Sequence, residues 1–146
     1  MFFFSKLIYI KFMKVLIISA LLASLIFLII DVIWLSFATK SFYRPHIGNL
    51  LLDQPIMWAA FLFYLIYMFG MTIVVIQPSL DLNSITRSIY IGFIFGFVAY
   101  GTYNLTNMAV LKGWSPYVVF VDMFWGGFLT AFSSSLGIFI AKKIIT

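Results

Sequence analysis

The chain has 146 residues, of which 64% are hydrophobic and 9% charged, and its mean hydropathy is +1.15. Such a composition cannot clothe a water-soluble domain in polar surface, and the length leaves room for one compact domain. The absence of cysteine excludes a disulfide framework and a thiolate metal site, while the formal charge of +5 is scattered rather than blocked, which suits helix ends at anionic lipid and not nucleic acid.

The first stretch, MFFFSKLIYIKFMK, places Lys6, Lys11 and Lys14 ahead of an apolar run. That order is like the basic region of a signal peptide, but the apolar run that follows is too long for one. Residues 1–14 are therefore read as an interfacial extension of an uncleaved first helix, with Met13 as an alternative start. A spanning helix needs about 20 mostly apolar residues. Four segments qualify, at about 15–37, 56–77, 88–111 and 116–141. None shows the period-two alternation of a barrel strand. Pro45 and Pro55 are expected to bracket the first connection, Pro78 to end the second helix, and Gly113 with Pro116 to mark a tight turn before the fourth. The expectation is an all-α integral membrane bundle of four transmembrane helices, forming a single domain over residues 15–146.

With four spans, Lys6, Lys11, Lys14, Arg87, Lys142 and Lys143 fall on one side and Lys40, Arg44 and Lys112 on the other. The positive-inside rule then puts both termini in the cytoplasm, in a multi-pass protein of the inner membrane.

Two of the four acidic residues lie inside apolar runs: Asp31 in LIIDVIWL and Asp122 in FVDMFWGG. Counted from the expected outer ends of their helices, each lies roughly 9 Å deep. Ala20, Ala23, Ser24, Phe27, Asp31 and Trp34 share one stripe of the first helix, and Asp122, Gly126, Thr130, Ser133 and Gly137 share one of the fourth. Small residues let membrane helices approach closely, so both stripes should face protein. The outer part of the third helix supplies Tyr103, Asn104, Thr106 and Asn107 at similar depth. Polar groups in hydrocarbon need partners. The simplest arrangement joins Asp31, Asp122, Asn104 and Asn107 in one network, walled by Tyr103 and Thr106, with Tyr64 and Tyr67 of the second helix as further walls. Lys112 or Arg44 would reach in from the surface, and Trp34 and Trp125 would roof the site. GFIFG is a G-x-x-x-G match whose first reading is ordinary packing. The repeated D-x-x-W is too short to mark an internal duplication.

The order DVIWLSFATKSFY, AAFLFYLIYMFG, YGTYNLTNMAVLKGWS and VDMFWGG closely resembles an uncharacterised bacterial family of multi-pass membrane proteins, domain of unknown function 2177. The resemblance runs from about Met13 onward, and its most specific part is TY-x-LTN-x-A-x-LKGW followed by VD-x-x-WG. It implies the fold and the membrane placement and carries no assigned reaction. In that family's pattern an aspartate is usual where this chain has Asn104, so a site of three carboxylates is here two and an amide, which argues against a divalent metal. No cofactor motif is present.

An intramembrane carboxylate is a functional-site candidate by default. The reading taken forward is a buried polar site in the outer leaflet that binds a lipid-like or small amphipathic ligand. Three alternatives stay open at this point: a proton-coupled transporter acting as a homodimer, a lipid-modifying enzyme, and a structural or assembly subunit whose aspartates fix packing. Membrane lipid is the expected partner.

Overall fold

The structure is a computed structural model that describes the backbone of residues 2–145 and the side chains of residues 6–145. Among the described residues six α-helices follow in chain order: α1 (Phe2–Ala38), α2 (Arg44–Ile47), α3 (Met57–Met71), α4 (Gln77–Asp81), α5 (Ile85–Val110) and α6 (Pro116–Ile145). They make four rods long and apolar enough to cross a membrane, Lys6–Leu50, Met57–Asp81, Ile85–Val110 and Pro116–Ile145. Residue 1 and the side chains of 2–5 in the expected extension lie outside the described residues. From Phe2 the backbone is helical and runs without a break into the first span.

Two proline expectations are corrected. Pro45 and Pro78 do not end helices; each sits in the first turn of a short helix that prolongs the rod before it. The prolongation works through a wide turn, Thr39–Tyr43 in the first rod and Thr72–Ile76 in the second. Proline has no N–H, and its ring collides with the carbonyl four residues back. In both rods the residue just before the proline bonds five residues back instead, Arg44 N–H to the Thr39 carbonyl and Gln77 N–H to the Thr72 carbonyl. The extra residue in the turn keeps the rod going and shifts the phase of everything beyond it.

The rods alternate in direction. Lys142 Nζ donates to Asn83 Oδ1 at 2.6 Å, so the 82–84 turn and the end of α6 share one end, called here the terminal end. His46 and Tyr117 pack ring on ring at 5.9 Å at the other, the loop end. Ser84 caps α5 by accepting from Arg87 N–H. Gly113 (φ 82°) supplies the left-handed residue of the α5–α6 turn, and Pro116 opens α6, where no N–H is needed.

α6 is the most buried rod and packs along both α1 and α5. All five residues of its expected stripe, Asp122, Gly126, Thr130, Ser133 and Gly137, are buried. The contacts are backbone-close. A Cβ on Gly96 would stand 2.0 Å from the Gly126 carbonyl oxygen, and one on Gly137 2.8 Å from the Ala23 backbone nitrogen. The core is layered. Leu16, Ala23, Met71, Val75, Ile76, Leu80 and Ile138 fill the half towards the terminal end, and Phe27, Tyr67 and Leu129 the middle. The half towards the loop end is polar.

Candidate functional site

On α6, Asp122 lies six residues from Pro116, roughly 9 Å into the rod. Its Oδ1 accepts from Tyr43 Oη at 2.5 Å, and its Oδ2 from Asn104 Nδ2 at 3.1 Å. On α1, Asp31 accepts from Tyr64 Oη at 2.7 Å and from Trp125 Nε1 at 3.1 Å. The carboxylates are 5% and 6% exposed. Each has its own donors, and the two halves are joined by indoles. Trp34 Nε1 donates to Tyr43 Oη at 3.2 Å, and the Trp34 and Trp125 rings stack with centroids 4.4 Å apart. One chain of contacts thus runs Asn104, Asp122, Tyr43, Trp34, Trp125, Asp31, Tyr64, drawing on all four rods.

The two aspartates are not at equal depth. Ala23 packs on Gly137, and counting along the antiparallel pair from there brings Asp31 one to two turns deeper than Asp122, roughly 5–10 Å. The expectation of equal depth took the first helix to end near residue 37, whereas the rod continues to Leu50. The acidic groups form a ladder along the α1–α6 seam.

Every donor on these carboxylates is neutral: two phenols, an indole and an amide. Lys112 is exposed in the α5–α6 turn and Arg44 is exposed on α2, so neither fills the place expected for a cation; the Tyr43 hydroxyl stands there instead. An ionised carboxylate has about four acceptor positions, and each of these uses two. Asn104 adds to the surplus. It is fully buried, and its Nδ2 serves both the Tyr100 carbonyl (3.1 Å) and Asp122, while its Oδ1 has no partner. A flipped amide would set that oxygen against the carboxylate, so the donor assignment follows from the network. The site is an acceptor-rich cluster of side chains that has no counter-charge among the described residues.

Of the residues expected at the site, the structure brings together Asp31, Asp122, Asn104, Trp34 and Trp125, along with Tyr64. Tyr67 instead pairs with Thr130 at 2.6 Å, one layer deeper. Tyr103 is 58% exposed and meets Trp114 edge-on. Thr106 is exposed and spends its hydroxyl on the Thr102 carbonyl. Asn107 is half-buried and Lys112 is exposed. Asn104 alone of the α5 polar group continues the face of Gly92, Gly96 and Tyr100, which α6 covers.

Tyr43 is the residue that sequence reasoning missed. In a regular helix, residues nine apart lie about 180° from each other, which would turn Tyr43 away from Trp34. The wide turn at Thr39–Tyr43 swings it back onto the seam. Such turns recur at functional sites. A signal was available: threonine, four residues, a polar residue and proline occur as TKSFYRP at 39–45 and as TIVVIQP at 72–78.

The comparisons with known proteins bear on this arrangement only through the family. No curated protein and no solved structure matches the chain. The family described as "Predicted membrane protein (DUF2177)" matches residues 16–139, a stretch that holds every residue of the network. The chain therefore belongs to the DUF2177 family and is a multi-pass membrane protein.

Proposed function

We propose that this protein binds an amphipathic molecule with a cationic, hydrogen-donating head, such as an ammonium or guanidinium on an apolar tail, at the Asp31–Asp122 ladder. The observation that carries the reading is the surplus of buried acceptors. Two carboxylates and the Asn104 Oδ1 share one network, and only neutral groups donate to it. Buried carboxylates are stabilised best by an opposite charge with good hydrogen bonds, so the missing complement is a donor that carries positive charge. The stacked indoles between the aspartates add aromatic faces, which attract cations.

The same reading places the loop end at the outer leaflet of a bacterial inner membrane, with both termini in the cytoplasm. Its support is the six basic residues at the terminal end against three at the loop end.

The test compares chemistries. The full chain in maltoside detergent is titrated with dodecylamine and with dodecanoate, and unfolding temperature is followed. Saturable stabilisation is expected with the amine and none with the carboxylate. The Asp31→Asn/Asp122→Asn pair should lose the amine effect. Equal stabilisation by both amphiphiles, or a full amine effect in the paired variant, would refute the proposal and leave the aspartates a packing role.

A further inference from the structure

The second rod meets α5 through its wide turn, Thr72–Ile76, and beside that contact the two part around an apolar groove of about 300 Å³. Val74 lines it from the second rod, and Ile91, Ile94, Phe95, Val98 and Ala99 line it from α5. The Phe95 ring reaches across to the second rod, where it meets Tyr67 with centroids 5.4 Å apart and occupies the space beside Gly70. That bridge closes the inner side. Ile94 and Val98 are more than half exposed, so the groove opens sideways, towards lipid.

The α5 residues of the groove recur at steps of three and four, the spacing of one helical face. One turn before Ile91, towards the terminal end, the same stripe holds Arg87. This side chain is half-buried, and its Nε is shut off from solvent with no acceptor among the described residues. Asp81, across the 82–84 turn, is exposed and does not serve it. A guanidinium is a planar fork that pairs with two oxygens of a phosphate, and Nε is one prong of it. Helical side chains lean towards the N-terminus of their helix, which carries the Arg87 head away from the groove and towards the membrane surface.

We infer that this stripe is a discrete site for one anionic phospholipid, with its phosphate on Arg87 and an acyl chain in the groove. The spacing suits that ligand. Twelve residues separate Arg87 from Ala99, roughly 18 Å of helix, close to the hydrocarbon depth of one leaflet, half of about 30 Å. The charge suits it as well, because basic pockets between membrane helices bind acidic headgroups. A lipid held there would span the seam between the second rod and α5, at the level where the wide turn makes their contact.

Native mass spectrometry of the full chain titrated with phosphatidylglycerol, phosphatidylcholine or inorganic phosphate tests this. One retained phosphatidylglycerol is expected, favoured over phosphatidylcholine by about fivefold, the effect of one basic side chain on an anionic headgroup. Arg87→Gln should bring retention down to the phosphatidylcholine level. Lys14→Gln removes an exposed charge of the same end outside the groove and should leave the preference standing. Val98→Trp keeps Arg87 and fills the groove from a rim position 57% exposed, so it should lower retention of both lipids. Equal loss in Arg87→Gln and Lys14→Gln would reduce the effect to diffuse attraction and overturn the site. Undiminished retention in Val98→Trp would overturn the groove as the seat of the chain. Displacement of the lipid by inorganic phosphate at comparable concentration would overturn the assignment to a lipid.

Discussion

Gly96→Leu is expected to abolish the packed bundle, and Gly96→Ala to weaken it by about 3 kcal/mol, the upper part of the range for overpacking a core. The reason is the kind of atom in the way. A Cβ at position 96 meets the Gly126 carbonyl oxygen at 2.0 Å, its carbonyl carbon at 2.5 Å and Thr130 Oγ1 at 2.5 Å. Backbone cannot swing aside as a flexible side chain can, so α5 and α6 would have to separate along their length. That separation would also carry Asn104 away from Asp122. Gly48→Ala is the control, because its new methyl would come no nearer than 3.9 Å to Arg44 Cβ, and it should be within about 0.5 kcal/mol of the native chain. Unfolding in detergent by urea or heat reads both. A Gly96→Ala variant as stable as Gly48→Ala would mean that α5 and α6 are not in backbone contact.

Tyr43→Phe is expected to cost about 2–3 kcal/mol, though it deletes a single oxygen. That oxygen makes two bonds, donating to Asp122 and accepting from Trp34 Nε1. A hydrogen bond to a charged group contributes about 1.5–3 kcal/mol, and an indole N–H left without an acceptor adds a penalty of its own. The ring remains, so packing is unchanged and the loss reports the hydroxyl. Tyr64→Phe removes one bond, to Asp31, and should cost less, about 1–2 kcal/mol. Tyr117→Phe, on a side chain 72% exposed, should change stability by under about 0.5 kcal/mol. An order in which Tyr43→Phe costs no more than Tyr117→Phe would remove the Tyr43 hydroxyl from the network.

The regular helices were legible in the sequence, and so were the residues they position. Between residues 15 and 38, and again along α6, phase at about 100° per residue holds. Asp31, Trp34, Asp122 and Trp125 could be placed on one seam for that reason. Asn104 was legible as a polar residue at the right level, but its neighbours were not separable from it by level alone. The face decides: Asn104 follows Gly92, Gly96 and Tyr100 at steps of four, whereas Tyr103 and Thr106 step off that stripe and end up exposed. What the sequence obscured was the wide turn. Pro45 and Pro78 carry the usual signature of a helix end, and the competing outcome, a turn with one extra residue, depends on packing that holds the rod straight on both sides of it. Tyr43 and the true length of the first rod were hidden by that one ambiguity, and the error in the depth of Asp31 followed from it.

The account rests on the aspartate ladder as the place where a cationic head is received. Infrared difference spectroscopy addresses the carboxylates themselves, and this chain is suited to it because its acidic side chains are only Asp31, Asp53, Asp81 and Asp122. Asp53 and Asp81 are exposed, so Asp53→Asn/Asp81→Asn leaves the ladder as the sole side-chain signal. Saturation of that variant with dodecylamine is predicted to shift the carboxylate stretching bands, and the shift should vanish when Asp31→Asn and Asp122→Asn are added. Amine bound to saturation with the carboxylate bands unmoved would contradict the account.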